Sequence, residues 1–484
     1  MELLYNLVST NEDEKKDLYI KEIDNKTRDY ITYFNSFSLG KWKKYTSLKT
    51  LALKLFINGK ADIVFYGVSS AGKREFGRIS EAEGEVIYTF PLGSFLEDIV
   101  GFQAVSCMGK TGSISGGYYG DFEEWNPASI GIGICTYRRE AYVKNTLTAI
   151  KKMSEKSHWL ETLVIDNGAT LEDDEDSTVR ILKNPNYGGS GGFTRALLEY
   201  VKEDKVDYVL LMDDDIVLEP SVIQRTRSFV SGLRKDYKDC FIAGAMLSME
   251  QPCMQCERTA YWTGIKICSN GKNLDLSKSQ NLLRNDAICY RDNTYAAWWY
   301  CCMPLARIRS NGYPLPIFIK GDDMEYGIRN DREIISFNGV GVWHEAFKRK
   351  ESALIRYFGS RNMMIINHYV KSPQRLKQMA GIAGRLVKQI LAYGAPGMKA
   401  MMLSLRDYCH GMNEIVAVGS DIKMKMVQEE LKESLTIYDC LRTVYYMMYV
   451  LLLFDRIGAG YIEFRKQNLN DEKFWRKFLT KGEV

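Results

Sequence analysis

The chain has 484 residues, enough for about three domains at roughly 150 residues each. With 45% hydrophobic and 26% charged residues it has a globular composition, neither disordered nor collagen-like. Its 65 basic and 61 acidic residues leave a net charge of +4, too small for a dedicated nucleic-acid binder.

The basic excess is uneven. Residues 371–484 hold 18 Lys and Arg against 12 Asp and Glu, so this quarter is the part suited to an anionic surface. The 11 cysteines are an odd number, and the opening MELLYNLVSTNEDEKKD is acidic, without the apolar core of a signal peptide. Reduced thiols in a cytoplasmic protein are therefore expected. The longest apolar run near the C-terminus, Val444 to Phe454, has 11 residues. A spanning helix needs about 20, so no transmembrane helix is expected.

Residues 1–125 read as a β-sandwich of short strands. Leu51–Tyr66 reads as a hairpin turning at Asn58-Gly59, Ile87–Phe90 and Ile99–Val105 read as further strands, and Gly112–Gly120 reads as a loop. From 126 to about 350 the pattern alternates. Strands are expected at Ile130–Cys135, Leu160–Asp166 and Asp207–Met212, with helices over Glu140–Met153 and Gly192–Lys202. That alternation predicts an α/β, doubly wound layout with a parallel sheet. Residues 351–484 read as a helical domain forming an oligomer or membrane surface. Its apolar stripe is Leu376, Met379, Ala383, Leu386, Val387, Ile390 and Leu391, with Arg385 and Lys388 opposite.

Three clusters carry chemistry. Asp213, Asp214 and Asp215 end an apolar strand, at the carboxyl edge where α/β sheets bind ligands. A hard divalent cation, Mn²⁺ or Mg²⁺, offsets their repulsion; a solvated acidic turn is the plain alternative. Asp322, Asp323 and Glu325 lie in GDDMEY, where a carboxylate can serve as general base or can simply suit a helix N-terminus. His344 ends the strand GVGVWH. It is either a packed core histidine or an imidazole ligand completing a site begun by Asp215.

Between these, Arg139 in CTYRR and Asp166 in VIDNG follow strands. Asn186, Gly188 and Gly189 lie in NPNYGGSGGF, a glycine-rich entry to a helix suited to a diphosphate. It lacks the Walker and dinucleotide-binding spacings. Trp298 and Trp299 fit either sugar stacking or core. Cys253-Met-Gln-Cys256 is a lone CxxC, a weak zinc signal even with Cys240 and Cys268 nearby.

The ordered set CTYRR, VIDNG, NPNYGGSGGFTRAL, LLMDDD, WW, GDDMEYG and VWH resembles the family 2, GT-A type glycosyltransferases. It is nearest the galactofuranosyltransferases that build galactan from UDP-galactofuranose. The resemblance implies a three-part chain: sandwich, catalytic GT-A domain and helical domain. It implies Asp215 and His344, with Asp213, as metal ligands, and Asp323 with its neighbour Asp322 at the catalytic position. Arg139, Asp166, Asn186, Gly188, Gly189, Asp213 and Asp214 take the nucleotide, and Trp298, Trp299 and Glu325 take the acceptor. This chain has TYRR where the family has a TFNR-like motif, and Tyr300-Cys301-Cys302 after the Trp pair. The expected reaction is inverting transfer of galactofuranose to a growing cell-surface glycan. A lipid-linked acceptor would suit a peripheral contact at the inner face of the membrane, and a homo-oligomer fits the helical part. A rhamnosyl- or other hexosyltransferase, or a non-catalytic carbohydrate-binding protein, are the alternatives.

Overall fold

The computed structural model describes every residue except 95–96, 108–111, 155–156, 173–178, 346–350 and 481–484. The N-terminal part is one antiparallel network of seven strands. Its centre is a long strand, Leu48–Ser69, that pairs with Gly72–Phe90 along one edge. Its other edge has two partners. Ile114–Phe122 pairs with Leu48 to Ile57, and Ile99–Ser106 pairs with Ala61 to Val68.

The hairpin expected at Asn58-Gly59 is absent. Gly59 takes φ of +99°, and the register slips between Ile57 and Ala61. The Asn-Gly step therefore makes a bulge where the strand changes partner, and the chain turns after Ser69. The Gly112–Gly120 segment expected as a loop is a strand from Ile114 onward, because its Gly and Tyr residues pair with Leu48–Ile57.

The α/β expectation holds. A second seven-stranded sheet contains Val179–Lys183, Leu160–Asp166, Ile130–Thr136 and Tyr208–Asp213 in that order, all parallel. The antiparallel Cys301–Pro304 comes next. The inner three, Leu160–Asp166, Ile130–Thr136 and Tyr208–Asp213, are apolar nearly throughout, as strands covered on both faces must be. Helices Glu140–Ser154 and Gly188–Glu203 make the crossovers. A third, five-stranded sheet places Ile216–Leu218 beside Gly341–His344, followed by Ala245–Ser248.

The N-terminal network and the α/β part share a core. The Tyr33 hydroxyl donates to the Val340 carbonyl at 2.9 Å, and Phe34 packs on Trp343 with ring centroids 5.7 Å apart. These contacts hold the strand that ends in His344.

Helices follow from Ala353–Ile366 to Glu472–Thr480. The longest, Arg375–His410, has the expected period but is rotated, so that of the stripe only Met379 and Leu386 pack on the core. Leu376, Val387, Ile390 and Leu391 are exposed, while Gln378, Ile382 and Gln389 are buried. The helix Ile437–Asn468 is long and apolar enough to cross a membrane by length and composition, although its longest unbroken apolar run falls short. Tyr461 and Phe454 of this helix pack on the ring of His368, so one face belongs to the helical core.

Candidate active site

Strand register builds the site. In the parallel sheet Asp213 stands beside Cys135, and Thr136 beside Asp166, so the strands end at one level. Leu211 pairs with Cys301 of the antiparallel neighbour, which brings the preceding Trp298 and Trp299 to the same edge. Ile216 pairs directly with His344. The chain leaving the acidic triplet thus carries the imidazole to it, across 128 positions of sequence that give no local hint of the contact.

A cavity of about 750 Å³ opens at this edge. Arg139, Asn186, Gly188, Gly189, Asp213, Asp214, Asp215, Trp298, Trp299, Asp322, Asp323 and His344 all line it. Ligand atoms of Asp213, Asp215 and His344 lie within 4.8 Å of one another. His344 Nε2 is 3.1 Å from Asp215 and 3.7 Å from Asp213. Its Nδ1 faces the Glu345 carbonyl at 2.6 Å. A neutral imidazole that donates there leaves the Nε2 lone pair aimed at the acids, the tautomer a metal ligand needs. Two carboxylates and one imidazole converge, Asp215 and His344 buried and Asp213 partly exposed to the cavity, and therefore fit a divalent cation. Burial pushes Asp213 up to about 7, and its two neighbouring aspartates add to the rise.

Asp214 is held apart from this trio. Thr136 Oγ1 donates to it at 2.8 Å and Arg139 at 3.3 Å, and Arg139 also pairs with Asp215. Asp322 and Asp323 begin the helix Asp322–Asn330. Burial raises both carboxyls, and the charge of Asp323 raises Asp322 further. Asp323 has opposing help: its Oδ1 accepts the Met324 N–H at 2.7 Å, and Lys320 favours its anion. Environment thus separates the two carboxyls, with Asp322 the one that keeps its proton.

The helix Gly188–Glu203 starts at the cavity. Gly188 has φ of +66°, and a Cβ there would lie 2.3 Å from the Phe318 carbonyl oxygen, so only glycine fits. Trp298 and Trp299 are each 4% exposed, and only a sliver of each ring reaches the cavity. Trp299 Nε1 donates to the Gly244 carbonyl at 2.9 Å, and Trp298 packs edge-on to Phe193.

Two expected contacts lie elsewhere. Asp166 is fully buried, and its carboxylate accepts the N–H groups of Gly168, Thr170 and Leu171 at 2.7 to 2.9 Å. It closes the turn after its strand, and its neighbour Asn167 lines the cavity instead. Glu325 is 0% exposed and points away from the cavity, because it pairs with Arg329 and accepts the Leu315 N–H.

Glu257 is the residue that sequence reading missed. It lines the cavity, takes a hydrogen bond from Ser269, and is pushed up to about 7 by burial. It lies 42 positions after Asp215 in no motif, so only the sheet fold reveals it. Cys253 and Cys256 are free thiols, and among the described residues they belong to no cluster able to hold a metal.

Residues 127–269 match the family described as "Glycosyltransferase like family 2", and residues 7–96 match "Galactofuranosyltransferase 2 N-terminal". Over these two stretches the chain is similar to the family 2 galactofuranosyltransferases. It is 27% identical over 375 residues to galactofuranosyltransferase GlfT2 of Mycobacterium tuberculosis, and 27% over 378 residues to that of Mycolicibacterium smegmatis. Each match spans 70% of this chain and 57% of the relative's own length. Among solved structures, S. aureus TarS 1–349 in complex with UDP aligns with a TM-score of 0.38 and 11% identity, over 68% of this chain and 91% of that one. The fold is a GT-A type α/β domain flanked by an N-terminal sheet and C-terminal helices.

Proposed function

We propose that the protein is an inverting, divalent-cation-dependent glycosyltransferase that moves galactofuranose from UDP-galactofuranose to a hydroxyl of a growing cell-surface glycan. The observation that carries this reading is the convergence on one cavity of Asp213, Asp215 and His344 with the Asp322–Asp323 pair, beside a glycine-rich helix start. Asp213, Asp215 and His344 hold Mn²⁺ or Mg²⁺. When bound, the cation offsets charge on the diphosphate leaving group.

The chain's own groups do the rest. The start of Gly188–Glu203 faces the diphosphate, which suits the helix dipole, while the N–H groups of Gly188 and Ser190 are held by Asn186 and the Phe318 carbonyl. Arg139 adds a positive charge beside them, and Asn186 and Asn167 take polar groups of the nucleotide. Asp323 accepts the proton of the acceptor hydroxyl. Asp322, protonated next to that charge, is free to donate a hydrogen bond to substrate. The acceptor hydroxyl is then the only nucleophile, so displacement is direct and the anomeric configuration inverts. Trp298, Trp299 and Glu257 form the acceptor side. The likeness to galactofuranosyltransferases supplies the sugar.

A lipid-linked acceptor at the inner face of the membrane extends the reading. Its support is the exposed apolar residues of Arg375–His410 and Ile437–Asn468 in the basic C-terminal quarter.

The test is a donor panel of UDP-galactofuranose, UDP-galactopyranose, UDP-glucose and dTDP-rhamnose, with Mn²⁺ and a short galactoside. Product mass and released nucleotide are followed. Transfer from UDP-galactofuranose alone is expected. Preference for another donor overturns the sugar, and no turnover of any donor favours a binding protein.

A further inference from the structure

The segment leading into the proposed base is strained. Phe318 and Lys320 have φ of +74° and +67°, and Gly321 has +96°. A bulky side chain in the left-handed region is a genuine outlier, and such a residue persists only where its surroundings impose it. The surroundings here are specific. Asn362, 0% exposed, donates its side-chain amide to the carbonyls of Ile319 and Lys320 at 2.8 Å each and of Ile317 at 3.2 Å. Arg361 donates to the Ile317 carbonyl at 2.9 Å and to the Asn362 side-chain oxygen at 3.0 Å, which fixes the amide with its NH₂ toward the segment.

The same cluster reaches the nucleotide side. Arg361 also donates to the Tyr357 hydroxyl at 3.3 Å, and that hydroxyl bonds Asp407. Asp407 pairs with Lys423 at 2.6 Å on the helix Ser420–Lys432. Two residues earlier on that helix, Asp421 accepts from Asn186 of the glycine-rich loop at 2.9 Å. The Phe318 carbonyl closes the circuit by accepting the Ser190 N–H at 3.1 Å.

We infer that Asn362, oriented by Arg361, is a positioning residue that clamps the strained segment 318–321 and so sets Asp323, and that the Tyr357–Asp407–Lys423 chain ties this clamp to the helix holding Asn186. The inference rests on Asp323 being the base. A relaxed segment would displace Asp323 from the acceptor, and an error of about 1 Å in a reacting group costs about 10²-fold in rate.

The experiment compares the full-length protein with Asn362→Leu, which keeps the side-chain bulk but removes the amide, and Tyr357→Phe, which removes only the hydroxyl. With the donor that the unaltered protein turns over, kcat should fall about 10²-fold in Asn362→Leu and about tenfold in Tyr357→Phe. Donor KM and UDP affinity should stay within about threefold, whereas a merely structural loss would lower folded content and all three together. Amide exchange over residues 317–323 should quicken about tenfold or more in both variants, a readout that needs no donor. Unchanged exchange there, or kcat within threefold in both variants, overturns the clamp. Should Asn362→Leu fail to fold, Tyr357→Phe decides by the same two measurements. Asp323→Asn run alongside separates the two ideas. Full turnover in Asp323→Asn with faster exchange in the clamp variants removes the base and leaves the clamp, and the reverse pattern removes the clamp alone.

Discussion

Replacing Asp323 by Asn tests the base with little cost to the fold. The amide oxygen can still accept the Met324 N–H that the carboxylate now accepts at 2.7 Å, so the first turn of the helix Asp322–Asn330 keeps its bond. The substitution removes one of two adjacent buried carboxyls, both raised by burial. Relief of that repulsion should leave the melting temperature unchanged or higher. A general base contributes about 10²–10⁴-fold, or about 2.7–5.4 kcal/mol of barrier. Turnover should therefore fall by that factor while UDP binding, followed by calorimetry, stays within threefold. In the unaltered protein, the raised carboxyl sets the acid limb of the kcat/KM profile. Activity is lost as pH falls through a value above the usual carboxylate range, and Asp323→Asn flattens that limb. A loss of less than tenfold, or an unmoved acid limb, refutes the assignment and transfers the role to Asp322 or Glu257.

His344→Ala removes one ligand and should weaken Mn²⁺ about tenfold or more, read as the concentration that restores activity after EDTA; full activity of the demetallated protein would refute a cation site. Ionising a buried carboxyl whose folded pKa is raised lowers stability as pH rises, so the cation should raise the melting temperature more at pH 8 than at pH 5.5, where Asp213 at about 7 is protonated. Glu257→Gln should raise the acceptor KM about tenfold with donor KM unchanged, and equal loss in both would remove Glu257 from the acceptor side. Leu391→Asp with Leu441→Asp should cut binding to anionic phospholipid vesicles about tenfold or more, since each buried Leu contributes about 1.5–3 kcal/mol. Transfer to a soluble acceptor should be unchanged in that variant, and undiminished vesicle binding would refute the contact.

The sequence is legible where chemistry is local. The glycine-rich loop, the acidic triplet, GDD and VWH are contiguous strings, and the alternating periods place them at strand ends. It is illegible where geometry is decided by partners. Nothing local separates Asp166, which folds its own turn, from an acid that faces a ligand. Glu325 sits three residues after Asp322 in the same helix, yet Arg329 one turn later draws it inward. Glu257 reaches the cavity only because Met254–Glu257 pairs with Ala245–Ser248. The helix Arg375–His410 shows the limit of periodicity most clearly. Its apolar stripe is real, but the buried face is rotated from it, toward Gln378, Ile382 and Gln389. Gln378 finds Asn367 and the Met364 carbonyl, and Gln389 finds Ser360 at 2.6 Å. Satisfied amides can be buried, so the period gives the stripe and the partners decide its direction.

Several features that cost stability meet at one place. Asp213, Glu257, Asp322 and Asp323 are all raised by burial, and all line the cavity. The left-handed Phe318 and Lys320 line the same cavity. Other costly features lie outside the cavity, among them the fully buried Arg225 and the buried Arg258–Asp286 pair, but none of these joins raised acids to a strained backbone segment in one cavity. Where raised acids and backbone strain coincide in one cavity, the coincidence marks function. The two have different remedies. The raised carboxyls share the cavity with Arg139 and Lys320, and a divalent cation bound among them would offset their mutual repulsion. The backbone strain has its remedy already, in Asn362 and Arg361, so the base is set before substrate arrives while the charge is balanced only once it does. A site built this way gains more from a cation-bound donor than from an acceptor alone. It should therefore bind donor first, and product inhibition by UDP should be competitive with donor and noncompetitive with acceptor.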